Sequence, residues 1–240
     1  VAQHITRKEL KKDEIRETLV HGADAVLSHQ KVAGIILGIA LVAGAAVVGW
    51  RFYSDRQTLK ASAALEDAMK VFEARLRARG EPAEPGEVTY IEEKNKFGDA
   101  AKKFTDVARN YSRTRPGQVA RYYLALCQEH IGRFEDAQKT LKELEEGGDE
   151  EFAALARFQL AEVYSRTGKA GEAVKLYRQL ADKPSTFVPK ALALLALADD
   201  LRKTSPQEAA KLYQQIKKDF PDSSVADEAD KRLEALGGKS

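Results

Sequence analysis

Cysteine is all but missing from this chain: Cys127 stands alone, so no disulfide can close within the chain and no cysteine-based zinc site can be assembled. The redox character of its compartment is therefore not readable from it. Methionine and tryptophan also occur once each, with only 9 phenylalanines in 240 residues. Any core must then be mostly alanine and leucine, which leans helical. A surplus of one charge is absent too, with Lys+Arg 39 against Asp+Glu 37. Residues 1–31 carry 6 basic and 5 acidic side chains, and residues 51–240 carry 33 and 32. Nucleic-acid binders need a basic excess that neither piece has, so that function class is set aside. At 43% hydrophobic and 32% charged, the composition also excludes a disordered tail, a collagen-like fibre and a polytopic membrane protein.

Catalytic patterns are missing as well. There is no Ser, His and Asp arrangement, no glycine-rich phosphate loop and no His-Glu-x-x-His on a helix. Cys127 and His130 could share a helix face as two ligands or as nucleophile and base, but no third partner is evident. Acidic pairs such as Glu145-Glu146 flank Gly147-Gly148 and read as solvated charge or helix-start electrostatics. The expectation is a chain that is not an enzyme and takes no cofactor or metal.

One long apolar run is present. Val32–Trp50 gives 19 consecutive residues without charge, bounded by Lys31 and Arg51. At 1.5 Å per residue it reaches about 28 Å, close to the hydrocarbon thickness of a bilayer. Trp50, Phe52 and Tyr53 gather at one end, where amphipathic rings favour a headgroup boundary. The 31 residues before the run are too many for an ordinary leader, so we read an uncleaved anchor. Basic residues near the two flanks do not decide its orientation. The long C-terminal part can translocate largely regardless of charge, which favours the tail inside and the large domain outside. Nine of the 19 residues are Gly or Ala, and the pairs Gly34/Gly38, Ala40/Gly44 and Ala45/Gly49 are each four apart. Such ridges let helix backbones approach closely, which suits a homo-oligomer or another partner helix packed through the span, although Gly and Ala are also common in spans generally. Before the run, Ile15, Leu19, Ala23, Val26 and Leu27 recur at helical spacing. That predicts an amphipathic helix over Arg7–Leu27, whose role as membrane contact, partner contact or solvated helix stays open.

Beyond Arg51 the chain repeats. Asp136-Ala137, Glu172-Ala173 and Glu208-Ala209 open similar segments whose alanines are 36 apart, and a weaker copy at Asp99-Ala100 lies 37 before Ala137. Four residues after each alanine stands Phe104, Leu141, Tyr177 or Tyr213, and seven after it Val107, Leu144, Leu180 or Ile216. That is one stripe of a helix, with the small residue marking a close helix crossing. A second helix precedes two of the copies, Leu124-Ala125 ending at Gly132 and Leu160-Ala161 ending at Gly168. Each unit is thus a helical hairpin. Gly80 to Gly86 with two prolines breaks the first opening helix, and Phe220–Ser224 stops one helix and caps another over Val225–Leu236.

This pattern resembles tetratricopeptide repeats (TPRs), which repeat at about 34 residues with Leu-Gly, Tyr, Ala, aromatic and Pro at set offsets. Leu160, Ala161, Tyr164, Gly168, Ala173 and Tyr177 carry the likeness best, followed by Ala209, Tyr213 and Pro221. The expected fold is all-α: an N-terminal amphipathic tail over residues 1–31, a transmembrane helix over 32–53, and a TPR-like α-solenoid over 54–240 with about four hairpins and a C-terminal capping helix. The whole layout, with Gly49-Trp50-Arg51-Phe52-Tyr53 closing the span and Ala61-Ser62-Ala63-Ala64-Leu65 following it, is similar to the YfgM-like family of ancillary SecYEG translocon subunits. That resemblance implies a bacterial inner-membrane protein with a periplasmic domain that contacts translocon subunits, a periplasmic chaperone or an emerging secretory chain. A scaffold for envelope assembly or cell division is the alternative.

By analogy with the repeat family, the opening helices line the inside of a solenoid. The expected peptide-binding groove is Val119, Tyr122, Leu126 and Glu129 in one unit, Leu155, Phe158 and Glu162 in the next, then Leu194 and Ala198. A one-residue slip in helix phase would turn such positions into core instead, Leu126 and Leu155 first. The groove lacks the Lys and Asn that some TPR domains use to hold a C-terminal carboxylate.

Overall fold

The computed structural model describes residues 30–237. The amphipathic helix expected over Arg7–Leu27 lies outside the described residues. Cα proximity divides the chain into two units, Val1–Arg56 and Gln57–Ser240.

In the first unit the described residues belong to one helix, α1, which runs Gln30–Phe72. Ile35, Ile36, Leu37, Ile39, Leu41, Val42, Val47, Val48 and Trp50 are all exposed on it. A core helix of a soluble protein would hide such a surface, and a surface helix would show a polar face. This one does neither: it is long and apolar enough to cross a membrane, and none of that apolar window is buried. Just past the apolar run that ends at Trp50, the Arg56 guanidinium sits 4.4 Å from the centre of the Phe52 ring.

The second unit is a stack of helical hairpins. The C-terminal part of α1 packs Phe72 against Phe97 and Phe104 of α2 (Glu93–Asn110), while α3 (Arg115–His130) pairs with α4 (Phe134–Gly147), α5 (Glu150–Arg166) with α6 (Ala170–Asp182), and α7 (Lys190–Leu201) with α8 (Pro206–Asp219), and α9 (Ser224–Gly237) closes the row. The periodic stripe explains why. Ala100, Ala137, Ala173 and Ala209, the residues four after each and the residues seven after each are all buried. The small alanine admits the neighbouring helix and the larger pair fills the space beside it. Three core clusters follow along the stack. One joins Ala68 and Val71 of α1 to Phe97, Phe104 and Cys127. The next holds Leu141, Leu144, Leu160 and Val163, and the last Tyr177, Leu197, Tyr213 and Ile216.

Local signals set the helix ends. Thr114 Oγ1 accepts from Gly117 N at 3.2 Å and Asp149 Oδ1 from Phe152 N at 3.1 Å, capping α3 and α5. Gly132 and Gly168, 36 residues apart, take φ of 78° and 79° after α3 and α5. Arg133 N then donates to Gln128 O and Lys169 N to Tyr164 O, the six-to-one bonds of a left-handed helix stop. Ser223 Oγ accepts from Ala226 N at the start of α9.

One segment departs from expectation. The first opening helix stops at Phe72, ahead of the predicted break at Gly80–Gly86. Two short strands, β1 (Arg75–Leu76) and β2 (Thr89–Tyr90), then pair in parallel, Arg75 opposite Thr89 and Leu76 opposite Tyr90. Arg75 clasps the loop between them, reaching Glu81 at 2.7 Å and Glu87 at 3.1 Å.

Candidate functional site

The opening helices α3, α5 and α7 carry side chains that reach from one hairpin to the next. At the α3–α5 seam Tyr122 donates its hydroxyl to Gln159 Oε1 at 3.4 Å, and Gln159 Nε2 donates to Glu129 Oε1 at 2.8 Å. Arg166 donates to Glu129 Oε2 at 2.7 Å. The Glu129 side chain is only 4% exposed, so its charge needs this guanidinium and both oxygens are satisfied. Burial, with the Glu129 charge second, pushes the Tyr122 hydroxyl up to about 12. A cleft of about 460 Å³ lies here, with Leu126, Glu129, His130, Phe134, Gln159 and Arg166 on its wall.

A cleft of about 530 Å³ opens between α5 and α7. Phe158, Leu192, Leu195 and Ala196 give it an apolar lining, and Glu162, Asp199 and Asp200 place carboxylates beside it, with the bases Arg202 and Lys203 on the same wall. Tyr177 donates to Glu162 Oε1 at 2.7 Å and Tyr213 to Asp199 Oδ1 at 2.6 Å. Ser165 donates to Asp200 Oδ1. The hydroxyls of Tyr177 and Tyr213 are both held far above the usual tyrosine range, first by burial and then by the carboxylates they bond.

The expected groove residues divide accordingly. Val119, Tyr122 and Leu155 are half-buried against the second core cluster. Leu126 and Glu129 share the first cleft, and Phe158 and Glu162 the second. Leu194 and Ala198 are not groove residues: they are 5% and 0% exposed in the last core cluster. The longer connection at Lys183–Pro189 moves the opening helix by one position, so that Ala198 stands where Ala161 stood and Asp199 where Glu162 stood. Leu192, Leu195, Ala196 and Asp199 take the places that a strict 36-residue step gave to their neighbours. The residue set was findable from Asp199, which lies as far before Tyr213, within one position, as Glu162 lies before Tyr177.

The sequence pattern of the tetratricopeptide repeat-like domain matches residues 29–194, well over half the chain, and a tetratricopeptide repeat matches residues 192–223. This chain belongs to the tetratricopeptide repeat-like family. Two similar solved structures from Podosopora anserina are described as a putative kinesin light chain with nearly identical TPR-like repeats. One of them, a point-substituted form, shares 16% identity at a TM-score of 0.50, covering 59% of this chain and 77% of that one. The other shares 16% at 0.49, covering 59% and 78%. At that identity the likeness speaks for the fold alone. No curated protein matches.

In this TPR chain, Cys127 and His130 do not form a working pair. Cys127 is fully buried and burial pushes its thiol up to about 12, away from the reactive thiolate. His130 turns elsewhere, with Nδ1 3.2 Å from Glu93 and its ring stacked 3.8 Å from that of Phe97. Among the described residues no cluster of His, Cys, Asp or Glu could hold a metal ion. Gly34, Gly38, Ala40, Gly44, Ala45 and Gly49 lie exposed along α1, and a Cβ built on any of the four glycines meets nothing within 4 Å.

Proposed function

We propose that this protein is a membrane-anchored interaction scaffold whose TPR domain holds other polypeptides on the face formed by α3, α5 and α7. TPR domains generally mediate protein–protein contact, and the observation that carries the reading here is the α5–α7 cleft, an apolar lining with charged side chains of both signs beside it. Each apolar side chain of a partner that is well covered there contributes about 1.5–3 kcal/mol before ordering costs. The anchor is α1, whose apolar surface between Gly34 and Tyr53 has no protein cover. We place residues 1–31 in the cytoplasm, the span at 32–53 and the domain from 54 onward in the periplasm of a bacterial inner membrane. The likeness of the span and its flanks to the YfgM-like family supports a place beside the SecYEG translocon, in contact with its subunits, a chaperone or an emerging secretory chain. If instead the ridge of Gly34 and Gly38 packs a partner helix or a second copy, the same layout serves a scaffold in envelope assembly or division.

The test is photo-crosslinking in living cells from a benzoyl-phenylalanine at Tyr122 and at Phe158. Adducts with a translocon subunit, a periplasmic chaperone or a secretory chain support the reading, and adducts with none of these reject it.

A further inference from the structure

Resting on the reading of α1 as an anchor, we propose that Arg56 and Phe52 form a binding site for the phosphate of an anionic phospholipid, in the leaflet at the Trp50 end of the span. Direction along the helix leads there. In an α-helix every Cα–Cβ bond tilts towards the N-terminus, and on this flank the apolar run lies on the N-terminal side. A long side chain here therefore points back at the bilayer. Arg56 stands six residues past Trp50, roughly 9 Å along the axis, yet its guanidinium carbon lies over the Phe52 ring, 4.4 Å from the centre. Phe52 is only about 3 Å past Trp50 along the axis. The charge is thus drawn back to the level where a bilayer passes from hydrocarbon to headgroups.

The surroundings fit that depth and leave the charge open. Trp50, Phe52 and Tyr53 are 70%, 59% and 61% exposed, a cost in water but the favoured setting of such rings among headgroups. Among the described residues no ion pair reaches Arg56. Asp55 is the sole acid between Trp50 and Leu65, and as the preceding residue it faces about 100° away round the helix. Lys70, further along α1, is by contrast held by Glu66 at 2.9 Å and Asp67 at 3.4 Å. The Phe52 ring restrains the guanidinium by cation–π attraction without using its N–H donors. Those donors match the paired oxygens of a phosphate. A zwitterionic headgroup brings its own ammonium to compete for that phosphate, so an anionic lipid is preferred. A free phosphate ion lacks the acyl chains that the exposed apolar run beside the site would cover.

Trp50, the single tryptophan of the chain, reports on the lipids beside it. The full chain is reconstituted into phosphatidylcholine vesicles in which a minor share of the lipid is phosphatidylglycerol or phosphatidylcholine with brominated acyl chains, which quench tryptophan fluorescence on contact. Brominated phosphatidylglycerol is expected to show about fivefold higher affinity for the place beside Trp50 than brominated phosphatidylcholine, the scale of one arginine at an anionic surface. Arg56→Gln should bring the two lipids level, and Phe52→Leu should give part of that loss. Arg51→Gln removes the same charge from another side of the helix and should leave the preference in place. Equal quenching by the two brominated lipids in the unaltered chain, or an equal loss in Arg51→Gln and Arg56→Gln, overturns the site and leaves the anchor standing. Loss of the preference on adding inorganic phosphate at constant ionic strength does the same, since the site would then take the free ion. If vesicles made wholly of brominated phosphatidylcholine leave Trp50 unquenched, the ring does not meet the bilayer, and the anchor reading falls together with the proposal.

Discussion

Tyr177 donates its hydroxyl to Glu162 across the hairpin of α5 and α6 at 2.7 Å, and one unit later Tyr213 does the same to Asp199 at 2.6 Å. In the unit before, the corresponding positions are Leu126 and Leu141, an apolar pair. The repeat therefore accommodates either a bonded or an apolar contact at this place. Tyr177→Phe leaves Glu162 without its donor and is expected to cost about 1.5–3 kcal/mol, the range for a hydrogen bond to a charged group. Thermal unfolding of the full chain in detergent, followed by circular dichroism, measures it.

The same two tyrosines set an alkaline limit. Their ionisation in the folded chain is pushed above the ordinary value of 10, by burial first and then by the carboxylates. The folded state thus keeps protons that the unfolded state releases. Their contribution to stability is whole below about pH 10 and falls as pH rises beyond it. Thermal midpoints between about pH 8 and 11.5 should decline above about pH 10, and less steeply in a Tyr177→Phe, Tyr213→Phe double variant.

Much of the fold was legible because helical spacing and small-residue positions are local properties. The alanines at 100, 137, 173 and 209 announced four close crossings, and all four are buried. Helix phase in the last hairpin was not legible. The Lys183–Pro189 connection adds one residue to the step, and what anchors it is tertiary: Glu151 accepts from Thr186 N at 3.2 Å and Phe187 N at 2.8 Å, and the Phe187 ring meets Phe152 edge-on at 5.4 Å. That slip carried Leu194 and Ala198 into the core. Strands of two residues, held by the Arg75 clasp, carry too short a pattern to be read from sequence at all.

Close crossing at Ala173 predicts a steric penalty. The residue is wholly buried between the helices of its hairpin and the next. Ala173→Leu should destabilise by about 1–3 kcal/mol through overpacking, whereas Lys175→Leu on the exposed side of α6 should change the midpoint little.

Arg166 is half exposed while Glu129 is buried, so their removal is not symmetrical. Arg166→Ala leaves a buried charge with Gln159 as its remaining partner and should cost about 1–3 kcal/mol. Adding Glu129→Gln to that background should recover part of the loss. A double variant less stable than Arg166→Ala alone would show that the charge is not the reason.

Left-handed turns after α3 and α5 make Gly132 and Gly168 hard to replace. Gly168→Ala should cost about 1–2 kcal/mol from the Cβ clash at φ 79°. Exposed Gly171, inside α6 with open space around it, should instead accept alanine with a small gain.

Occupancy of the inner face can be read in cells with a membrane-impermeant maleimide, because native Cys127 is fully buried and gives no background. Leu195→Cys puts a thiol in the α5–α7 cleft, and Lys175→Cys puts one on the exposed side of α6. If polypeptides fill the cleft in a compartment outside the inner membrane, the cleft thiol reacts several-fold more slowly in intact spheroplasts than in the purified chain, while the α6 thiol reacts at the same rate in both. Equal rates at the two sites in spheroplasts and in the purified chain, or no labelling of either until the spheroplasts are lysed, would contradict it.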